Sequence, residues 1–234
     1  MNPSTKNDLK MLVFALIIYA IIMGLTSAGV LNAFWQLNLI FAGINIILAA
    51  SLNLINGYTG QFSLGHAGFM SIGGYACAIF IIRVMPLVGL STTDMALGSA
   101  PAIALFVSGL LFGGVVAALA GVIIGIPALR LKGDYLAIIT LGFAEIIRVV
   151  LINIDATLGF KLTGGASGLT GIPAYTSFLN TALVVALSIF LIHTLMKSRH
   201  GRAILAIRDN EIAAEASGVN TTYYKTLAFV FSAF

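Results

Sequence analysis

Few residues in this chain could do chemistry, and they are scattered. Cys77 is the sole thiol among 234 residues, and His66, His193 and His200 are the sole imidazoles. Catalysis by a nucleophile with its base, or by a bound metal, needs such groups gathered at short spacings. The three histidines instead fall in separate segments, with no Cys or Asp partner at ligand spacing. The sequence therefore predicts no catalytic residue and no metal site, and the histidines read as structural or solvated. A single cysteine also excludes an intrachain disulfide.

The elements that would position any site are set by an oily composition. Hydrophobic residues make up 59% of the chain and charged residues 9%, against about 25% charged in an average soluble domain. A water-soluble globule needs more polar surface than this, so lipid is the solvent that remains. The net charge of +4 does not point to nucleic acid, because the basic residues are not gathered among aromatics. Apolar stretches approaching the roughly 20 residues that cross a bilayer lie near 11–31, 34–55, 66–85, 101–127, 134–154 and 178–196. The first exceeds the usual h-region of a signal peptide, roughly 7–15 residues, and reads as a retained helix. A seventh run starts near Tyr223 and reaches Phe234 in too few residues to cross, which leads us to expect a truncated version of a longer chain. The expected fold class is an all-α polytopic bundle of about six complete spans plus the start of a seventh. Residues 1–234 form a single transmembrane domain in this reading.

Basic residues orient the bundle. Lys6 and Lys10 precede the first span, Arg130 and Lys132 follow the fourth, and Lys197, Arg199, Arg202 and Arg208 follow the sixth. An even number of spans separates each pair of clusters, so one side holds all three. By the positive-inside rule that side is cytoplasmic, and with it the N-terminus and the 197–222 loop. Arg83 and Lys161 fall outside. Tyr223, Tyr224 and Lys225 read as interface anchors.

Four segments interrupt this pattern. Asn56-Gly-Tyr-Thr-Gly-Gln-Phe-Ser-Leu-Gly-His-Ala-Gly68 is rich in glycine and small polar residues, with no charge to hold it in water. Broken segments of this kind line transport sites when protein or water surrounds them, which makes Gln61, Ser63, Gly65 and His66 candidates for a polar path. A tight turn permitting close helix approach is the alternative. The pairs Gly109/Gly113 and Gly121/Gly125 have the spacing that lets helices pack closely. Glu145 and Arg148 share one face of the fifth span; charges there are expected to face the protein interior, as an ion pair near the outer end or as part of a pathway. The glycine-rich loop Leu162–Pro173 cannot form a regular helix. It gates the outer mouth, touches a delivering protein, or is a plain mobile connector.

The segment after the sixth span carries the sharpest signal. Asp209 or Asn210 can cap a short helix, Glu211 suits its first turn, and Gly218 suits a left-handed stop. About two turns of helix are marginal alone and must dock on something. Ile212, Ala213 and Ala216 form an apolar stripe flanked by Glu211 and Glu215. A surface helix packing on its own bundle and a peg for a soluble motor both fit.

Glu211-Ile-Ala-Ala-Glu-Ala-Ser-Gly218 resembles the EAA loop of bacterial ABC importer permeases, with Ser217 where a second alanine would follow. Ser51-Leu-Asn-Leu-Ile-Asn-Gly-Tyr-Thr-Gly-Gln-Phe-Ser-Leu-Gly-His-Ala-Gly-Phe69 is similar to branched-chain amino-acid permeases of the LivM type. So are Leu131–Phe143, Thr163–Pro173 and Gly201–Leu227. The resemblance covers most of residues 40–234 and implies a translocating subunit, not an enzyme. It implies a second related permease, two cytoplasmic ATPase subunits and an extracytoplasmic binding protein as partners. It also makes 197–222 the coupling loop, with Asp209, Glu211, Glu215 and Gly218 in or beside its helix. No Gly-x-x-x-x-Gly-Lys-Ser/Thr segment is present, so ATP and Mg would be used by the partners and no cofactor is expected on this chain. The expected mechanism is alternating access in the inner membrane, for leucine, isoleucine or valine. Urea or short amides remain open as substrates. An ion-coupled secondary transporter would have only Glu145 as a coupling acid.

Overall fold

In the computed structural model, residues 32–88, 100–129, 134–160, 162–173 and 176–234 are described, together with Ile22, Gly24 and Gly29. Apart from those last three, the expected first span at 11–31 lies outside the described residues, as do Lys6, Lys10, Arg130, Lys132 and Lys161. The described elements are all helical: α1 (Ala33–Asn53), a π turn (Leu54–Tyr58), α2 (His66–Val84), α3 (Ala100–Ala128), α4 (Asp134–Leu158), α5 (Phe178–Lys197), α6 (Arg199–Asp209), α7 (Glu211–Ala216) and α8 (Thr221–Ala233). Short 3-10 turns cover Met85–Val88 and Gly165–Ser167. Among the described residues five segments are long and apolar enough to cross a membrane: Ala33–Tyr58, His66–Leu87, Pro101–Ala128, Tyr135–Leu158 and Phe178–Lys197. Five of the expected spans thus appear within a few residues of their predicted ends, and the chain is a multi-pass membrane protein.

The helices fall into two compact units. In the smaller, residues up to Ile47 join Thr176–Ser188. Gly43 allows the approach there: a Cβ on it would stand 2.6 Å from Thr181 Cγ2.

The larger unit holds Leu48–Tyr175 and Ile189–Phe234. Its frame is α3, whose two glycine pairs receive different helices. A Cβ at Gly113 would stand 2.6 Å from the Gly73 carbonyl of α2, and one at Gly109 would stand 2.8 Å from Ile81. Gly121 and Gly125 instead face α8, at 3.0 Å from Ala233 Cβ and Phe229 Cδ1. Packing is therefore what both pairs do, as their spacing predicts. The core of this unit gathers Ile55, Phe69, Ile124, Ala128, Leu129, Leu136 and Phe229, with Phe69 and Phe229 edge to face at 5.4 Å.

One helix was absent from the sequence reading. α6 is capped by the Ser198 hydroxyl, which accepts from the amides of His200 and Gly201. It buries Gly201, Ile204 and Ile207 on one face, and this three-residue spacing was the signal that could have found it.

Candidate functional site

The two crossing segments Ala33–Tyr58 and His66–Leu87 are joined by a break, the non-helical residues 59–65. Asn53 ends the α-helix, and the next turn widens to π geometry, with the Thr59 amide donating to Leu54 O at 3.3 Å and the Gln61 amide to Ile55 O at 3.2 Å. Non-helical backbone at membrane depth survives only if its polar groups are satisfied. Side chains supply the partners. Asn56 Oδ1 accepts from the Ser63 amide at 3.1 Å, and Thr140 Oγ1 on α4 accepts from the Leu64 amide at 3.1 Å while donating to Ala137 O. Gly60 adopts φ 67. Gly65 passes so close to α4 that a Cβ would stand 2.6 Å from the Thr140 carbonyl, so only glycine fits there.

His66 opens α2 inside a hydroxyl network. Its Nε2 lies 2.7 Å from Ser51 Oγ and 3.4 Å from Ser232 Oγ. Ser51 donates to Leu48 O at 2.9 Å, and Ser232 donates to Ser51 O at 2.6 Å. With both hydroxyl hydrogens directed at carbonyls, Nε2 is left as the donor and Nδ1 carries the lone pair. That Nδ1 and the Ser63 hydroxyl are buried and have no protein partner. Ser63 is 1% exposed, and Gln61 is half-buried. The broken segment therefore holds an idle acceptor and an idle hydroxyl three residues apart. A polar solute could engage them, though they have no nucleophile–base geometry.

The segment after α5 packs against this break. The Arg208 guanidinium is held by Asp209, with Nε and Nη2 at 3.1 and 3.0 Å from Oδ1. Its remaining nitrogen, Nη1, donates a long bond of 3.5 Å to Gly57 O, and its Cγ lies where a side chain on Gly60 would be, 2.9 Å from that Cβ position. The chain then turns at Asn210, not Asp209, whose side chain caps α7 by accepting from Ala213 N at 3.0 Å. Gly218 adopts φ 85. The Val219 amide reaches back to Ala214 O at 3.0 Å, the closing bond of a left-handed helix stop.

Both acids of this helix point to α8. Glu211 Oε1 pairs with Lys225 Nζ at 2.7 Å, and Glu215 Oε1 accepts from Thr221 Oγ1 at 2.6 Å. Lys225 is buried by this pairing, which corrects its reading as an interface anchor: an apolar helix face tolerates a lysine turned inward only with a carboxylate beside it. Ala214 faces inward as well, while Ile212 stands 76% exposed with Ala213 and Ala216.

Two further expectations are corrected or sharpened on α4. Glu145 and Arg148 do pair, Arg148 Nε to Oε2 at 2.9 Å. They sit near the middle of the helix and face away from the rest of the chain, with side chains 59% and 61% exposed, whereas the sequence reading turned them inward near one end. The α4 face packed on α2 is already filled by small and apolar residues, so the charged face is the outer one. The glycine-rich loop after α4 is no loose connector. Asp155 Oδ1 accepts from the amides of Leu162 and Thr163, each at 2.8 Å, and the Thr163 hydroxyl donates to Leu151 O at 2.7 Å.

Residues 36–234 match the family described as "Branched-chain amino acid transport system / permease component". The chain is 34% identical over 224 residues to the high-affinity branched-chain amino acid transport system permease protein LivM of Salmonella typhimurium, covering 81% of this chain and 47% of that protein. This chain belongs to the branched-chain amino-acid transport permease family. LivM of Escherichia coli matches at the same identity and coverage. A protein named as a probable branched-chain amino acid transport permease in Methanocaldococcus jannaschii is 24% identical over 205 residues, 77% of this chain and 58% of that protein. The chain spans about half the length of the first two of these relatives. No solved structure matches it significantly.

In this family member the residues singled out from sequence form two groups. Gln61, Ser63, Gly65 and His66 lie together in the break, and Asp209, Glu211, Glu215 and Gly218 lie together around α7. What sequence reasoning missed is the material joining them. Arg208 was counted only as an orienting charge, and Ser51, Asn56, Thr140 and Ser232 drew no attention. Small polar residues in apolar helices were the available signal, but nothing in their spacing tells which of them meet.

Proposed function

We propose that this chain is the membrane-spanning permease subunit of a binding-protein-dependent ABC importer in the bacterial inner membrane, carrying leucine, isoleucine and valine by alternating access. In this reading its partners are a second related permease, two cytoplasmic ATPases that use ATP and Mg, and an extracytoplasmic binding protein. The chain itself binds no cofactor and catalyses no reaction. The N-terminus and residues 197–222 lie in the cytoplasm, and six spans precede α8, the start of a seventh.

The observation that carries this reading is the clasp between the α6–α7 corner and the break that joins α1 to α2. α7 is clipped to α8 from behind by Glu211 and Glu215, which leaves Ile212, Ala213 and Ala216 free to enter a groove on an ATPase. Two residues before the corner, Arg208 lies on Gly57 and Gly60. Motion imposed on α7 therefore reaches the segment that holds Ser63 and His66 without crossing a flexible linker. Energy must differ between the inward and outward states for such motion to drive transport, and ATP bound by the partners supplies it.

The test is uptake by the assembled transporter in vesicles. ATP-dependent import of leucine should scale with ATP hydrolysed, and a cysteine at Ile212 should cross-link to the ATPase. Uptake of urea or acetamide in place of leucine would reassign the substrate. Uptake driven by an ion gradient without ATP would overturn the reading.

A further inference from the structure

Arg83 stands where the orienting pattern of charges has no use for a base. It lies in the last turn of α2, seventeen residues after His66, about 26 Å along the helix. That length nearly spans the hydrocarbon. Arg83 is therefore at the opposite end of α2 from the break and Arg208, on the side where basic residues are scarce. A cation in a last turn complements the helix dipole, but a lysine would do so equally well. Among the described residues none gives the Arg83 guanidinium a hydrogen bond or an ion pair.

Beside it lies a recess. Ile79, Ile82, Arg83 and Pro86 follow one face of α2 and the turn beyond it, and Leu162 and Leu169 of the glycine-rich loop complete the lining of a cavity of about 430 Å³. That volume falls within the roughly 300–1,000 Å³ of small-molecule sites. The loop side is fixed before anything binds. Asp155 holds the Leu162 amide at 2.8 Å, and Gly164, Gly165 and Gly168 adopt φ of 76, 57 and 75. Gly164 lies so close to the Gly168 carbonyl that no Cβ fits, which folds the step from Leu162 to Leu169 back on itself. A wall set in advance loses little order when a ligand arrives.

A guanidinium presents paired N–H donors that match a carboxylate, and here no partner need be displaced. The remaining lining is apolar and suits a hydrocarbon tail. No acid lines the recess, so an ammonium group gains nothing there. We propose that this recess binds a small monocarboxylate with a short apolar tail, the carboxylate on Arg83 and the tail between the isoleucines of α2 and the leucines of the loop. The inference deepens the proposed function, whose substrates have this chemistry, and rests on it for the side of the membrane that the recess faces.

The test uses the complete transporter in phosphatidylcholine vesicles, with Leu169→Cys in a Cys77→Ser background as reporter. A membrane-impermeant thiol reagent added outside should label the introduced thiol. 4-Methylpentanoate, which is leucine without its amine, should slow that labelling, and leucine should do so at a similar concentration. Leucinamide, which lacks the carboxylate, and acetate, which lacks the tail, should need at least about tenfold more. Arg83 is exposed, so its replacement leaves the fold intact. Arg83→Gln should raise the protecting concentration roughly twentyfold, and Arg83→Lys, which keeps the charge without the fork, roughly fivefold. Protection that survives Arg83→Gln, equal protection by leucinamide, or a thiol that never labels would each overturn the site. So would labelling slowed by phosphatidylglycerol in the bilayer but not by 4-methylpentanoate, which marks Arg83 as a contact for lipid headgroups. Leucine uptake is measured in the same vesicles, loaded with ATP and supplied with the binding protein. ATP-driven uptake without Arg83-dependent protection sinks the recess and leaves the functional reading standing, whereas protection without uptake does the reverse.

Discussion

The loop after α4 and the segment after α5 are both pinned by carboxylates, yet the pins do opposite things. Asp155 gathers the amides of Leu162 and Thr163 onto one oxygen, and the Thr163 hydroxyl returns to Leu151 of the helix the loop has just left. That loop is tied to itself. Glu211 and Glu215 instead bond Lys225 and Thr221 of the following helix, and Arg208 reaches back some 150 residues to Gly57. This segment is tied to two other elements. A self-tied loop can change without moving its neighbours, whereas a cross-tied one transmits whatever displaces it.

Four measurements would break or sharpen the contrast. The largest effect is expected at Gly60. Its φ of 67 and the 2.9 Å approach of Arg208 Cγ leave no room for Gly60→Val, which should cut ATP-driven uptake at least about twentyfold while the complex still assembles, a loss in the range of site-to-site coupling energies. Arg208→Ala should act in the same direction, with ATP hydrolysis persisting. Unimpaired uptake in both would show that the clasp transmits nothing.

Next comes Glu211→Leu, which strands the buried Lys225 ammonium. Breaking a pair of this kind costs roughly 3 kcal/mol, visible as a lowered thermal midpoint in detergent, and Lys225→Met in the same chain should recover most of it. Failure of the double variant to recover would mean that the carboxylate has another partner.

Asp155→Ala removes the acceptor of two backbone hydrogen bonds and should cost about 2 kcal/mol of local order. The readout is faster amide exchange confined to residues 162–168. If exchange rises instead in residues 209–218, the loop is not self-tied and the contrast collapses. The smallest stability change is expected for Ile212→Ser, under about 0.5 kcal/mol because the side chain is already exposed. Its cross-linking to the ATPase should nevertheless fall. A large loss of stability would place Ile212 against this bundle.

Much of the architecture was legible in advance because membrane spans are written in single residues. Each long apolar run must close its own backbone hydrogen bonds, so it becomes a helix wherever it lies, and five of the expected spans appear within a few residues of their ends. Caps and stops at Asn210 and Gly218 are equally local. α6 was missed because its amphipathic spacing follows directly on a span and contains five polar or charged residues, which hid the period. Glu145 and Arg148 were placed on one face correctly and turned the wrong way, since a rule that intramembrane charges seek protein does not say whose protein.

Pattern and composition alone determined that this chain crosses a membrane repeatedly, that the apolar pattern lapses near residues 56–65, and that a short capped helix sits at 211–216. These follow from local backbone chemistry, which needs only neighbouring residues. The tertiary structure decided that Arg208 lies on Gly57 and Gly60, that Glu211 and Glu215 turn to α8, and that His66 meets Ser51 and Ser232. Those are contacts between segments far apart in the chain, and they depend on which helices glycine lets approach.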